Sequence, residues 1–297
     1  MFSGVYIAVP SNNIFLPQAL YAVTGWPLSQ SLSPLIHNTG FQTLGIPAVY
    51  LAFPVAPRDL PHFVHTVRML HMGGVSVTIP HKEAVIPLLD GITERARSVG
   101  AVNTLFWKDM ELWGDNTDIA GFLAPLEQMH MDFAAQTALV LGAGGAARAV
   151  VGGLAIRGCR HIHISTPSNK SHLPLAAQFG ATPVNWEDHH SVQANLVINT
   201  TPLGMHGSHE NESPWDFSAT PLAAGAIAYD IVYNPLTTRF LREAREHGHT
   251  CVTGREMFFA QGNAQFKLWT RMDLPDVSRV ALDQTLDGAL DGPPDTL

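Results

Sequence analysis

Lys82 and Asp118 are the two charged residues of this sequence whose positions best suit acid–base chemistry. Lys82 comes at the predicted start of a helix, one residue after the strand-like segment GVSVTIP. The chain has only 17 Lys and Arg against 25 Asp and Glu, and the helix macrodipole disfavours a cation at that end of a helix. An ammonium group can stabilise a developing alkoxide and give it a proton, with a carboxylate as its partner. A solvated lysine at a helix end is the alternative interpretation.

Hydroxyl and amide side chains occupy several predicted loops in the same part of the chain. In SQSLSP, Ser31 and Ser33 lie at a predicted helix start, where Pro34 suits the first helical position. Two hydroxyls beside free backbone donors predict a site for a carboxylate or phosphate, whereas N-capping by Ser33 would explain one serine only. The remaining loops would suit a polyhydroxylated substrate, although each alone could be a turn or a cap. Their polar side chains are Ser76, Thr78, Asn103, Thr104, Asn116 and Thr117.

A glycine-rich loop follows the apolar segment TALVL and precedes a run of small residues. Its spacing is Gly142-x-Gly144-x-x-Ala147. The first glycine permits a tight turn, the second lets a pyrophosphate approach the backbone, and the small third residue packs helix against strand. The N–H groups of the helix start can then hold the anion. We expect dinucleotide binding here, with a tight structural turn as the alternative. The binding residues would be Gly142, Ala143, Gly144, Gly145 and Ala146.

The end of the next predicted strand indicates which dinucleotide would bind. NAD sites offer an acidic residue at this point of the fold, and NADP sites offer an arginine. The sequence here is ISTPSNKS, which has neither. The hydroxyls of Ser165 and Thr166 and the ammonium of Lys170 can hold a 2′-phosphate, and no carboxylate repels it. The pattern favours NADP as the cofactor and leaves NAD possible.

Strand-like and helix-like segments alternate along the chain, which predicts an α/β fold with mostly parallel sheets. The first predicted strands are LYAVTG, AVYLAFPV and VSVTIP, with helices from Ser33 to Gly45 and from Asp59 to about Met72 between them. From Ile119 onward, a helix and the strands TALVL, HIHIST, NLVINT and AIAYDIVY predict a Rossmann domain around the glycine-rich loop. We expect residues 1–118 to form one domain, which residues 254–297 complete, and residues 119–253 to form the Rossmann domain.

The composition argues against several other classes of protein. A net charge of −8 and a pI of about 6.0 argue against nucleic acid and against an anionic membrane surface as partners. The two cysteines predict no disulfide framework, and the 15 histidines are scattered without acidic co-ligands, so we expect no metal. No apolar run reaches the length of a membrane span, and residues 1–18 lack a basic signal-peptide region. We expect a cytoplasmic enzyme for a small-molecule substrate, with loosely held ends at residues 1–18 and 287–297.

Taken together, these segments resemble the shikimate dehydrogenase family from about Tyr21 to Trp269. The matching motifs occur in the family's order and are YAVTGWPLSQSLSP, VSVTIPHKE, GAVNT, GDNTD, GAGGAAR, NTTPLGM, YDIVYNP and MFFAQGNAQF. The resemblance implies reversible reduction of 3-dehydroshikimate to shikimate with NADPH, a step of chorismate and aromatic amino-acid biosynthesis. It also implies a cleft between an α/β substrate domain and the Rossmann domain. We expect a monomer or homodimer.

The resemblance further implies roles for individual residues. Lys82 and Asp118 resemble the family's catalytic pair. Ser31 and Ser33 resemble its ligands for the substrate carboxylate. The residues that resemble the rest of its substrate pocket are Ser76, Thr78, Asn103, Tyr233 and Gln261. Those that resemble its cofactor ligands, besides the glycine-rich loop, are Ser165, Thr166, Lys170, Asn199, Thr200, Gly254 and Met257.

Two departures from the family pattern leave alternatives open. Ser76 replaces an asparagine, as in some relatives that use quinate, and Thr166 stands where the family's arginine meets the adenosine 2′-phosphate. Lys170 lies where the family often has a second basic residue. One alternative is therefore a quinate/shikimate dehydrogenase that uses NAD or NADP. The other is a non-catalytic nucleotide-binding regulatory module on the same fold, which the presence of Lys82 and Asp118 disfavours.

Overall fold

The apolar segments predicted as strands pair into two six-stranded sheets. The computed structural model describes residues 17–28, 31–207 and 209–288. The predicted loose extension at residues 1–18 lies almost wholly outside these ranges, and so does most of the predicted tail at 287–297.

The first sheet is built from the N-terminal part of the chain. Its strands are β1 (Ala19–Gly25), β2 (Ala48–Pro54), β3 (Gly74–Val77), β4 (Gly91–Ile92), β5 (Thr104–Lys108) and β6 (Glu111–Asp115). The helices in this part are α1 (Ser33–Thr43), α2 (Leu60–Met69), α3 (His81–Ala84) and α4 (Glu94–Val99). The strand order is β2-β1-β3-β5-β6-β4, with β1 parallel to β2 and β3. β5 is antiparallel to both of its neighbours, so this sheet is mixed.

The second sheet is parallel throughout and contains the glycine-rich loop. Its strands are β7 (Thr137–Leu141), β8 (His161–Thr166), β9 (Thr182–Asn185), β10 (Leu196–Asn199), β11 (Ile227–Asp230) and β12 (Thr250–Val252). Its helices are α5 (Asp118–Gln128), α6 (Gly145–Ile156), α7 (His172–Phe179) and α8 (Arg239–Glu246). The order β9-β8-β7-β10-β11-β12 is that of a Rossmann fold, in which ligands bind where the strand order reverses. The loop between β7 and α6 lies at that point.

Two further helices, α9 (Gly254–Thr270) and α10 (Asp276–Gly288), follow β12. Phe266 of α9 and Leu282 of α10 are buried with Ile36 and Tyr50 in a core beside the first sheet. α9 also packs along α5, which leads into the second sheet. The segment after Gly254 thus returns to the first sheet, while the domain boundaries at 118/119 and 253/254 stay a prediction. No helix in the described part of the chain is long and apolar enough to cross a membrane.

The segment around Lys82 is less regular than a strand followed by a long helix. β3 ends at Val77, and Ile79 leaves the ladder to accept a hydrogen bond from Trp26 N at 2.9 Å. Helix α3 has only four residues and continues as a 3₁₀ turn over Ile86–Leu88. Pro87 explains this early end, since its ring lacks an N–H and clashes with the preceding turn. Lys82 therefore projects from a single helical turn that lies between the end of β3 and a 3₁₀ turn.

Candidate active site

Lys82 and Asp118 form an ion pair between the first turns of α3 and α5. Lys82 Nζ donates a hydrogen bond to Asp118 Oδ2 at 2.6 Å. The two side chains are only 12% and 7% exposed, so water screens the pair little. The other carboxylate oxygen, Asp118 Oδ1, accepts a hydrogen bond from Asn103 Nδ2 at 2.8 Å. A lysine ammonium is thus held in one place, with a carboxylate beside it and little room for solvent.

Asn103 has a fixed orientation, which follows from a backbone contact. Thr117 N donates to Asn103 Oδ1 at 2.8 Å, so the amide oxygen faces Thr117 and the amide nitrogen faces Asp118. Thr104 Oγ1 also donates to Asn103 Oδ1 at 2.8 Å. Asn103 is almost completely buried, and its amide group connects β5 to the start of α5. This places the predicted substrate ligand Asn103 directly against the carboxylate of Asp118.

Ser76 belongs to a second group of buried polar side chains, in which Tyr50 and Gln265 are members that the sequence does not predict. Tyr50 OH lies 2.6 Å from Ser76 Oγ, and Ser76 Oγ lies 2.7 Å from Gln265 Oε1. Gln265 Nε2 in turn contacts Thr104 Oγ1 at 3.1 Å and Asn103 O at 3.2 Å. Gln265 occurs in the motif MFFAQGNAQF, but a single sequence gives no sign of which of its two glutamines reaches Ser76.

Ser31 and Ser33 lie at the start of α1, as expected. Ser33 is the first helical residue, and Leu32 occupies the N-cap position without a side-chain hydrogen bond. The N-capping alternative for Ser33 is therefore wrong. Ser33 N donates to Ser31 Oγ at 3.4 Å, Pro34 has no N–H, and Leu35 N donates to Leu32 O at 3.1 Å. The side-chain hydroxyls of the two serines are therefore the donors that this helix start offers to a ligand. Thr78 is half-buried; its methyl group would lie 2.4 Å from a Cβ at residue 25, which explains why Gly25 is a glycine.

Tyr233 follows the end of β11, Gln261 lies in α9, and both side chains contact Phe258. The Tyr233 ring packs on Phe258 at 4.4 Å between ring centroids, and burial raises the pKa of Tyr233 to about 12. Its hydroxyl therefore remains a hydrogen-bond donor at neutral pH. Gln261 Nε2 donates to Phe258 O at 2.9 Å, and Gln261 Oε1 lies 3.5 Å from Asn103 Nδ2.

The glycine-rich loop has the geometry that its spacing predicts. Gly142 has φ +122°, and a Cβ there would lie 2.2 Å from Thr200 Oγ1, so only glycine fits. Gly144 is different, because a Cβ there would meet no atom within 4 Å and the backbone faces open space. Ala143, Gly145 and Ala146 are partly exposed beside it. The backbone N–H groups at the start of α6 are therefore accessible to an anion.

Lys82 lies against this loop. A Cβ at Gly145 would come within 3.1 Å of Lys82 Cδ. A cavity of about 220 Å³ opens at the contact and is lined by Ile79, Pro80, Lys82, Glu83, Gly144 and Gly145. The Lys82 side chain and the backbone of the glycine-rich loop thus line one cavity.

The residues predicted at the adenosine end lie at the end of β8 and the start of α7. Ser165 is fully buried, and its hydroxyl has no hydrogen-bond partner among the described residues. Thr166 Oγ1 lies 3.0 Å from His172 Nδ1 and 3.3 Å from Ser168 Oγ. Lys170 is exposed and forms no ion pair within the described part of the chain. Lys170 is therefore the predicted residue of this group whose charge is free for a phosphate.

Three other residues predicted to contact the cofactor are buried. Asn199 is fully buried and donates its amide to Asp230 Oδ1 at 3.0 Å. Burial raises the pKa of Asp230 to about 7. Gly254, at the start of α9, would place a Cβ 2.4 Å from Ile231 O, so a larger residue cannot replace it. Met257 is buried in the core of the second sheet.

No group of three or more His, Cys, Asp or Glu residues within 17–28, 31–207 and 209–288 is arranged to hold a metal ion.

Comparison with known proteins gives the family. Residues 23–105 match the family model for the shikimate dehydrogenase substrate binding domain. Curated relatives named shikimate dehydrogenase (NADP(+)) from Oleidesulfovibrio alaskensis and Pelobacter propionicus are 48% and 47% identical, and each alignment covers 90% of this chain. These alignments cover 95% and 96% of the two relatives.

Solved structures of shikimate 5-dehydrogenases also resemble this chain. Shikimate 5-dehydrogenase from Thermus thermophilus, in complex with NADP(H) and shikimate, superposes with a TM-score of 0.81 at 35% identity, covering 90% of this chain and 100% of the other. The enzyme from Listeria monocytogenes, in complex with shikimate and NAD, gives a TM-score of 0.80 at 29% identity, covering 90% and 96%. With two six-stranded sheets, the glycine-rich loop and this degree of identity over nearly its whole length, the chain belongs to the shikimate dehydrogenase family.

Proposed function

We propose that this protein is a shikimate dehydrogenase, which reversibly reduces 3-dehydroshikimate to shikimate with NADPH. The observation that carries the proposal is the Lys82–Asp118 pair, 2.6 Å apart and in contact with the glycine-rich loop at Gly145. A proton donor and a dinucleotide-binding backbone are the two parts that reduction of a ketone requires. The relatives that are 48% and 47% identical carry the same activity in their names.

The residues at the glycine-rich loop fit a dinucleotide. Gly142 permits the tight turn, and the open face of Gly144 leaves room for a pyrophosphate against the backbone. The free N–H groups at the start of α6 would hold that anion. Lys170 would meet the 2′-phosphate of NADP, close to the hydroxyl of Thr166. NADPH supplies the hydride when it is bound.

Lys82 would supply the proton in the direction of reduction. As an ammonium, it would hydrogen-bond the ketone oxygen, stabilise the negative charge that develops there and transfer a proton to give the alcohol. Asp118 would accept from Lys82 and keep the ammonium pointed at the substrate. Asn103 would hold Asp118 in turn through the 2.8 Å contact. In the oxidative direction the same lysine, as a neutral amine, would take the proton back.

The substrate would lie between the start of α1 and this pair. The hydroxyls of Ser31 and Ser33, at the start of α1, would donate hydrogen bonds to its carboxylate. Its hydroxyls would contact Ser76, Thr78, Asn103, Tyr233 and Gln261.

We further propose residues 1–118 with 254–297 as the substrate-binding catalytic domain and 119–253 as the NADP-binding domain. A cytoplasmic location, a role in aromatic amino-acid biosynthesis and a monomeric or homodimeric state are part of the same proposal.

A quinate/shikimate dehydrogenase that uses NAD or NADP is the second candidate function. Ser76 in place of asparagine and Thr166 in place of arginine favour it. The structure of the Listeria monocytogenes enzyme with shikimate and NAD is that of a relative at 29% identity.

One assay separates the candidates. The purified protein would be given shikimate or quinate with NADP or NAD, and the absorbance of the reduced nicotinamide would be followed. We expect the highest kcat/KM with shikimate and NADP. Comparable values with quinate or NAD would support the second candidate. Binding of NADP without turnover of either acid would overturn both and point to a nucleotide-binding module.

A further inference from the structure

The hydroxyl of Ser76 has both of its hydrogen-bonding directions set by two neighbours, Tyr50 and Gln265. All three side chains are buried, with 5%, 1% and 2% of the residue surface exposed for Ser76, Tyr50 and Gln265. Gln265 comes from α9, 189 positions after Ser76 in the chain. Water therefore has little access to this group, and each polar atom must find its partner within the protein.

A backbone carbonyl fixes the orientation of Gln265. The carbonyl of Asn103 can only accept, so the Gln265 atom 3.2 Å from it is the amide nitrogen. The carbonyl oxygen of Gln265 therefore faces Ser76. At 2.7 Å this oxygen accepts the single proton of the Ser76 hydroxyl.

Tyr50 completes the arrangement. Its hydroxyl lies 2.6 Å from Ser76 Oγ, and because the Ser76 proton is already given to Gln265, Tyr50 must be the donor. Burial raises the pKa of Tyr50 above its ordinary value, so the phenol keeps its proton. A hydroxyl has one proton and two lone pairs. Ser76 is thus left with one free lone pair and no proton to offer.

We propose that Tyr50 and Gln265 are positioning residues that make Ser76 a hydrogen-bond acceptor only. Ser76 then recognises a substrate group that donates, such as a ring hydroxyl, and disfavours a carbonyl, an ether or a fluorine at the same place. An asparagine at this position would offer both an N–H and a carbonyl, and would not discriminate in this way. The inference rests on the proposed function, in which Ser76 contacts a hydroxyl of the substrate.

A double-mutant cycle tests whether Tyr50 acts through Ser76. We expect Tyr50→Phe to raise the KM for shikimate about three- to tenfold, the scale of one hydrogen bond, with kcat and the KM for NADP within about twofold of wild type. In a Ser76→Ala background, Tyr50→Phe should change the KM less than about twofold further, because the group it orients is gone. Effects that multiply independently in the double variant would overturn the proposal.

Tyr21→Phe is the matched control. Tyr21 is buried in the same core as Tyr50, and the hydrogen bonds described for Ser76, Gln265 and Asn103 do not include its hydroxyl. We expect Tyr21→Phe to leave the KM for shikimate unchanged. An equal rise in both tyrosine variants would assign the effect to packing and overturn the role of Tyr50. Wild-type turnover of shikimate tests the proposed function separately, so a failed cycle in an active enzyme overturns only this inference.

Fluorinated substrates test the direction of the hydrogen bond. Fluorine keeps the approximate size of a hydroxyl but cannot donate. Of the two shikimate analogues in which one non-reacting ring hydroxyl is replaced by fluorine, we expect one to show a KM at least about tenfold higher in the wild type. Ser76→Asn, which can turn an N–H toward the fluorine, should reduce that ratio at least about threefold. A ratio below about twofold for both analogues would overturn the acceptor assignment.

Discussion

Lys82 Nζ lies 2.6 Å from Asp118 Oδ2, although the two residues are 36 positions apart and belong to different helices. The pair is nearly buried, and removing one member of such a pair leaves the other charge without its partner. Asn103 holds the carboxylate from the opposite side, so the position of Asp118 does not depend on Lys82 alone. A substitution of the lysine should therefore affect the chemistry more than the architecture of the site.

We predict that Lys82→Met lowers kcat by about 10²–10⁴-fold, the usual contribution of a general acid or base. The KM for shikimate should change less than about threefold, because the lost interaction is strongest in the transition state. Steady-state kinetics in both directions would measure this. Lys267→Met is the control, since Lys267 is 60% exposed and pairs with Asp273 at the surface. Wild-type turnover in Lys82→Met would contradict the assignment.

Ser31→Ala should act mainly on substrate binding. The proposed contact with the substrate carboxylate is the same in the ground state and the transition state, so its loss weakens both equally. We expect the KM for shikimate to rise by about tenfold, the scale of a hydrogen bond to a charged group, with little change in kcat. If kcat fell and the KM stayed constant, Ser31 would have a different role.

Lys170 should contribute to the preference of the enzyme for NADP over NAD. Its side chain is exposed, so its attraction to a 2′-phosphate is that of a surface ion pair. We predict that Lys170→Ala raises the KM for NADP about two- to fivefold and leaves the KM for NAD unchanged. The effect of Lys170→Ala on the KM for NADP should be smaller in high salt, because exposed charges are screened. An equal rise for both cofactors would place Lys170 away from the phosphate.

His37 should make the protein sensitive to acid. Burial lowers the pKa of His37 to about 3, against a smaller opposite effect of the Gln265 side chain. In the unfolded chain a histidine takes up a proton near pH 6.5, so the unfolded state gains protons that folded His37 does not. The free energy of unfolding is therefore at its full value above pH 6.5 and decreases as the pH falls towards 3. The loss from this one group is roughly 2 kcal/mol at pH 5.

We predict that the free energy of unfolding of both proteins falls between pH 7 and pH 5, and that the fall is roughly 2 kcal/mol smaller for His37→Phe than for the wild type. Urea unfolding at the two pH values would measure this. Phenylalanine can keep the stacking on Tyr50, which lies 4.6 Å away between ring centroids. Near-ultraviolet circular dichroism at pH 7 would check that the core is intact. His65→Phe is the control, because His65 is exposed. Parallel stability curves for the wild type and His37→Phe would contradict the prediction.

The parts of the fold and site that depend on residues adjacent in the sequence could be predicted from the sequence. The spacing of Gly142 and Gly144 is contiguous with its strand and helix, and the loop indeed joins β7 to α6. β4 was not predicted, because its two residues are too few to display a period. The N-capping alternative for Ser33 was wrong by one position, which is a common uncertainty at helix ends.

The parts that depend on distant contacts could not be predicted. Tyr50 lies in a strand and resembles an ordinary core residue, and its proposed role depends on Ser76 and Gln265 from other elements. His37 is similar, since nothing in the sequence distinguishes a buried histidine from an exposed one. Asn199 was expected to line the cofactor side, whereas the structure shows its amide bound to the buried Asp230. Whether Asn199 also contacts a cofactor stays a prediction.

The 189 positions between Ser76 and Gln265 have a consequence for the newly made protein. A ribosome produces the chain from the N-terminus, and the strands of both sheets precede α9. The strands of the first sheet, which end at Asp115, can therefore pair while Gln265 is still unmade. Until α9 emerges, Ser76 lacks the partner that takes its proton, and Phe266 has not yet closed the core beside Tyr50. The proposed substrate pocket is thus completed late in synthesis, well after Lys82 and Asp118 have been made.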